Sequence, residues 1–188
     1  MQLQGKTVLF LGSSVTYGSA SGGVSFAELM AQACGCHCVK EAVSGTTLAD
    51  IDESSYVARL KTVDTALPVD LFICQLSTND VGRRVPIEQT EAALRFIIAY
   101  VKETFGCPIA FYTNTYYPCE EYQGLVDLLY RLQKEADFAV LDFWNDESMN
   151  AISDEQRARY MRDPVHPTLE GYREWWMPKF IAFCEKIS

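Results

Sequence analysis

The sequence predicts a three-layer α/β/α sandwich built on a five-stranded parallel sheet. Five short runs rich in Val, Leu, Ile and Phe recur about every 30 to 40 residues, the length of a βαβ unit. Segments with an apolar stripe at helical spacing lie between them. The runs are apolar almost throughout, as in strands covered by helices on both faces. A chain of 188 residues is long enough to bury a substantial core, and no linker or low-complexity tract divides it, so residues 1–188 are expected to form one domain.

The elements follow in order. KTVLFLG (6–12) is the first strand, and SFAELMAQA (25–33) the helix after it. CHCVKEAV (36–43) is the second strand, followed by a helical pattern in LADIDESSYVARLKTV (48–63). VDLFICQLS (69–77) and CPIAFYTNT (107–115) are strands three and four, with PIEQTEAALRFIIAYVKETF (86–105) between them. EEYQGLVDLLYRLQKEA (120–136) leads to the fifth strand, DFAVLDFW (137–144). TLEGYREWWMPKFIAFCEK (168–186) closes the pattern, with Pro178 expected to kink or interrupt it and one of Trp175 and Trp176 to face the core. Right-handed crossovers make the flavodoxin-like arrangement the natural one.

A net charge of -9 argues against sequence-independent nucleic-acid binding, since phosphates would be repelled. The apolar run near the start is too short for a secretory core and nothing approaches a membrane span, so a cytoplasmic protein without membrane contact is expected. Seven cysteines, an odd count, suit buried thiols in a reducing compartment. Three of them crowd into CGCHC, Cys34 to Cys38, but neighbouring side chains of an extended segment point to opposite faces and CxxC spacing is absent. Neither a metal nor a cofactor is expected.

Ligands of open α/β sheets bind beyond the carboxyl ends of the strands. The stretches there are GSSVTYG, SGTT, STND, TYYP and the loop after DFW. The adjacent hydroxyls Ser13 and Ser14 could serve as turn chemistry, a phosphate cradle or a nucleophile. Ser44-Gly45-Thr46 follows strand two, Ser77-Thr78-Asn79-Asp80 strand three, and Asp163-Pro164-Val165-His166-Pro167 lies near the C-terminus.

Taken together, these blocks resemble the SGNH (GDSL) hydrolase family, whose four blocks supply a serine, a glycine, an asparagine and a D-x-x-H pair in this order. The resemblance spans Val8 to Pro167. It aligns the family's G-D-S-L with Gly12-Ser13-Ser14-Val15 and so makes Ser14, not Ser13, the nucleophile. Ser13 stands where the family usually has aspartate, and Ser77 where it usually has glycine.

The chemistry is consistent with that reading. A serine hydroxyl needs a base. His166 is the serious candidate, because His37 falls in a predicted strand. Asp163, three residues earlier, is close enough to hold the imidazole's tautomer and stabilise the imidazolium, and Pro164 and Pro167 restrict the backbone around the pair. The N–H of Ser14, the N–H of Gly45 and the Asn79 amide are nominated as oxyanion donors. Each block alone has a plainer account: a turn serine, a turn glycine, an Asx cap, a proline-rich loop.

The expected function is a serine esterase or acylhydrolase acting on a small-molecule ester through an acyl-enzyme. An acyltransferase is the alternative on the same fold. A nucleotide- or FMN-binding module and a non-catalytic carbohydrate-binding descendant are rivals from other classes. The segments around YYPCEEYQG (116–124) and FWNDESMNAISDEQRARYM (143–161) read as polar loops with no apolar groove, so short acyl groups, acetyl to butyryl, are expected on a small polar alcohol or a saccharide. Tyr112, Tyr116, Tyr117 and Tyr122 flank strand four, where they would either stack on a sugar or pack.

Overall fold

The computed structural model describes residues 2–187. Its sheet has five parallel strands in the order β2-β1-β3-β4-β5: β1 Thr7–Gly12, β2 His37–Ala42, β3 Leu71–Gln75, β4 Ile109–Tyr112 and β5 Ala139–Leu141. β1, β3 and β4 are buried along their whole lengths, which is why their sequences read as continuous apolar runs.

Strand alternation divides the interior in two. Leu9, Leu11, Phe72, Cys74 and Phe111 face one layer, where α5 (Ile87–Thr104) and α6 (Glu120–Gln133) pack through residues such as Leu94, Ile97, Val101, Leu125 and Leu129. Val8, Phe10, Leu71, Ile73, Ala110 and Tyr112 face the other, against α2 (Phe26–Cys34) and the C-terminal helix. Phe26 lies at its centre, stacked on Phe180 with ring centroids 4.0 Å apart and edge-on to Tyr112 at 5.2 Å. Full burial of a side chain such as Phe26 contributes about 1.5–3 kcal/mol. Trp175 and Trp176 are both buried, one more than the sequence suggests.

Two segments differ from their predicted form. Residues 48–63 contain helix only at α3, Tyr56–Leu60. Before it, polar side chains bond locally instead of leaving the backbone to wind: Ser55 Oγ donates to Asp50 at 2.7 Å and Ser54 N–H to Asp52 at 2.9 Å. Residues 143–161 are not an open loop. They hold α7 (Glu147–Asn150), capped by Asp146, and α8 (Asp154–Tyr160), which starts in a capping box between Ser153 and Gln156. The last element stays helical, but its α-helical winding is interrupted just before Pro178. The chain winds as a π-helix over Gly171–Trp176, with Met177 N–H reaching Tyr172 O, and α9 (Met177–Cys184) continues with Pro178 in its first turn. A widened turn tolerates the missing N–H.

His37 opens β2 and is exposed. Cys36 is buried and Cys34 and Cys38 half-buried; burial, with Glu28 nearby, pushes the Cys38 thiol up to about 12. Among the described residues no helix is long and apolar enough to cross a membrane.

Candidate active site

β1 ends at Gly12, and the chain turns at once into α1 (Ser14–Tyr17). A Cβ on Gly12 would lie 1.8 Å from Thr16 Oγ1, so any larger residue would force Thr16 out of this turn. The two hydroxyls after it face different surroundings. Ser13 is fully buried: its N–H donates to Gln75 Oε1 at 2.9 Å and its hydroxyl to the same oxygen at 3.3 Å. Thr16 Oγ1 also donates to Gln75 Oε1 at 2.9 Å. The turn is therefore not an open phosphate cradle, because its first N–H already has an acceptor. Ser14 Oγ instead lies 2.8 Å from His166 Nε2.

His166 comes from a loop pinned at its base. An isolated antiparallel bridge joins Met161 to Pro167, and Arg162 N–H donates to His166 O at 2.9 Å. Asp163 lies within 2.8–2.9 Å of His166 Nδ1 through both carboxylate oxygens. Its Oδ1 also accepts the N–H groups of Val165 and His166, at 2.8 and 2.9 Å. Burial opposes ionisation of Asp163, but the Val165 N–H, the imidazole and the His166 N–H together hold its carboxyl below the usual carboxylate range. An anion on Nδ1 leaves Nε2 as the acceptor facing the Ser14 hydroxyl, the arrangement that activates a serine.

The nominated donors come from three strand ends. Among the described residues, the N–H groups of Ser14 and Gly45 donate to no protein acceptor. Gly45 has φ +80°, a conformation that favours glycine. Asn79 lies in α4 (Thr78–Gly82), which Ser77 caps by accepting the N–H groups of Asn79 and Asp80 at 3.2 and 3.3 Å. The Asn79 amide donates one hydrogen to Thr46 O at 2.9 Å, and an amide NH₂ has a second. Asp80, almost fully buried, accepts the N–H groups of Leu48 and Ala49 and the Thr90 hydroxyl, fixing the segment after Gly45.

Sequence reasoning missed two polar supports under these residues. Gln75 reads as one polar residue in a strand, yet its carbonyl oxygen gathers the serine turn. Arg59 carries no distinguishing signal within the 48–63 pattern. It is 8% exposed, and its N–H groups donate to Gly12 O, Glu41 O, the Glu41 carboxylate, Thr46 Oγ1 and Ser54 O. A buried guanidinium needs that many acceptors.

The expectation that no apolar groove exists is corrected. A groove of about 540 Å³ runs beside Asp163, with Tyr116, Tyr117, Pro118, Ala158, Met161 and Pro164 in its walls. These residues are scattered in sequence. The winding of α8 brings Ala158 toward Met161, and the β4 loop supplies the rings. Of the four tyrosines flanking β4, Tyr112 and Tyr122 are core residues, whereas Tyr116 is 48% exposed and leans on Trp144 with centroids 5.0 Å apart.

A parallel α/β sandwich with a hydroxyl at a strand end, in line with an imidazole and a carboxylate from a neighbouring loop, has the equipment for acyl transfer. The chain belongs to the GDSL-like lipase/acylhydrolase family, whose profile matches residues 10–174. Among solved structures, a protein of Lactobacillus plantarum is similar with a TM-score of 0.81 at 17% identity, covering 97% of both chains. The acetylxylan esterase Axe2 of Geobacillus stearothermophilus is similar with a TM-score of 0.74 at 19% identity, covering 97% of this chain and 95% of its own. The salicylyl-acyltransferase SsfX3 of a tetracycline biosynthetic pathway shares the fold with a TM-score of 0.68 at 17% identity, covering 97% of this chain and 55% of its own. No curated protein matches the sequence.

Proposed function

We propose that the protein is a serine esterase that cleaves short-chain esters, acetyl foremost, of a small polar alcohol or saccharide. The observation that carries this reading is the line from Ser14 Oγ to His166 Nε2, at 2.8 Å, and from Nδ1 to Asp163. Ser14 Oγ attacks the ester carbonyl carbon while His166 Nε2 takes its proton. The carbonyl oxygen becomes an oxyanion held by the N–H groups of Ser14 and Gly45 and the free hydrogen of the Asn79 amide. Collapse breaks the bond to the alcohol, which leaves with the proton from His166, and an acyl-serine remains. Water then gives its proton to His166 and attacks the acyl carbon; the acid departs and Ser14 recovers its proton.

The groove beside Asp163 is assigned to the alcohol. The exposed face of Tyr116, stiffened by Trp144, offers a flat apolar surface for a sugar ring, and Asp154 and Arg157 in the same walls offer hydrogen bonds to hydroxyls. The test is kcat/KM across p-nitrophenyl esters of increasing chain length and acetylated saccharides. A maximum at acetate to butyrate with saccharide acetates accepted is expected; a maximum at octanoate or longer would place an acyl chain in the groove instead.

An acyltransferase is the second reading, favoured by the fold shared with a salicylyl-acyltransferase. It requires an alcohol to replace water on the acyl-serine. Partition of product between acid and new ester, as acceptor alcohols are added, separates the two.

A further inference from the structure

Gly45 is the proposed donor least held by packing. Where a side chain would begin there is no atom within 4 Å beyond its own chain neighbours, and its φ is +80°. The loop is held by side chains reaching in from other elements. Arg83 Nη2 donates to Gly45 O at 2.7 Å, Asn79 Nδ2 to Thr46 O at 2.9 Å and Arg59 Nη2 to Thr46 Oγ1 at 3.1 Å.

Of these, Arg83 alone bonds Gly45 itself. It caps the C-terminal end of α4, four residues after Asn79, where its N–H bonds Asn79 O at 2.8 Å. Its other nitrogen, Nη1, lies 3.1 Å from Asp52 Oδ2, so the guanidinium is anchored on one side and engages the loop on the other. A planar fork can do both at once; an ammonium on a flexible stem cannot hold that geometry.

We propose that Arg83 is a positioning residue for the oxyanion pocket: braced by Asp52, it fixes the Gly45–Thr46 peptide and through it the direction of the Gly45 N–H. The inference rests on the esterase reading and adds a residue outside the serine, glycine, asparagine and D-x-x-H blocks. One short helix then carries one donor, Asn79, and the brace of another. Donors stabilise a developing oxyanion only if they need no reorganisation as it forms. A glycine loop free to turn would lose that advantage without losing substrate.

The side chain of Arg83 is 45% exposed, so Arg83→Met keeps the stem and removes the donors with little risk to folding. On p-nitrophenyl acetate, Arg83→Met should lower kcat about tenfold, less than the ~100-fold typical of losing a donor outright, with KM within about twofold of wild type. Affinity for a boronic acid, whose serine adduct mimics the tetrahedral oxyanion, should fall in the same proportion, and Arg83→Lys should recover part of both. Thermal unfolding run alongside should show an unchanged midpoint. A variant with wild-type kcat and boronate affinity overturns the inference, as does a kcat loss that merely follows a lowered unfolding midpoint. Wild-type protein that neither turns over an ester nor reacts with a fluorophosphonate overturns the esterase reading and this inference with it. Wild-type protein that does both while Arg83→Met matches it overturns this inference alone.

Discussion

The two halves of the candidate site are held in opposite ways. The serine half is built into the interior: Ser13 is fully buried and Ser14 7% exposed, and beneath them Gln75 accepts from Ser13 and Thr16 while Arg59 donates to Gly12 O. The histidine half lies on the surface, with side-chain exposures of 28% for His166 and 46% for Asp163. Met161 and Val165 anchor the loop against the core, and short-range bonds within residues 161–167 order its polar groups. The serine side chains therefore depend on the fold as a whole, and the Asp163–His166 pair on a few local groups facing water. Damage to the first should appear as lost stability as well as lost activity. Damage to the second should appear in activity and its pH dependence.

The largest effect should follow from dividing the two serines. Ser14→Ala should abolish fluorophosphonate labelling and lower kcat by about 10⁴-fold or more, as loss of a triad nucleophile does. Ser13→Ala should retain labelling, since its hydroxyl points at Gln75. Labelling that survives Ser14→Ala and vanishes with Ser13→Ala would reverse the assignment.

On the surface half, His166→Ala should remove most of the activity together with the acid-side limb of kcat/KM, because the proton acceptor must be neutral. His37→Ala, at the exposed start of β2, should leave both intact. A limb that persists without His166 would mean that another base operates.

Asn79→Ala should lower kcat by about 100-fold, the usual effect of removing an oxyanion donor. It also frees Thr46 O, so a small fall in unfolding temperature should accompany it. Unchanged kcat in single-turnover measurements would exclude the amide from the oxyanion pocket.

Gly12→Ala probes the buried half through stability. The new methyl group meets Thr16 1.8 Å away, and strain of about 1–3 kcal/mol should appear in denaturant unfolding. An unchanged midpoint would show that the turn is looser than its packing implies.

The smallest effect is on stability, through the charge of Asp163. Its carboxyl is lowered in the folded protein, so its ionised form stabilises the loop above the ordinary carboxylate range, and that contribution is lost as pH falls through the lowered value. Wild type and Asp163→Asn should differ modestly in unfolding midpoint at neutral pH and converge in acid. A difference that persists undiminished in acid would place the stabilisation elsewhere.

The same contrast explains what could be read from the chain. β1, β3 and β4 were legible because strands buried on both faces must be apolar throughout, and Ser14, Gly45, Asn79, Asp163 and His166 could be nominated because they follow strand ends or lie in a compact D-x-x-H block. Arg59 and Gln75 were not, since a polar residue reveals burial only through partners distant in sequence: Gln75 meets Ser13 across 62 residues and Arg59 meets Gly12 across 47. Residues 48–63 misled because an apolar stripe at helical spacing says nothing of the Asp and Ser side chains competing for the backbone. Polarity alone reads residues 143–161 as a loop and passes over the Ser153–Gln156 spacing that caps α8.

The hydrogen bond from Ser14 to His166 spans 152 residues, nearly the length of the chain. A ribosome must therefore make and release all five strands before the hydroxyl meets its base. If Ser14 is the nucleophile proposed above, it is an ordinary alcohol until then, and a nascent or truncated chain should not acylate itself on esters around it. On the proposed reading, appearance of activity during synthesis or refolding marks closure of a contact between the two ends of the chain, and turnover of an ester would time that event directly.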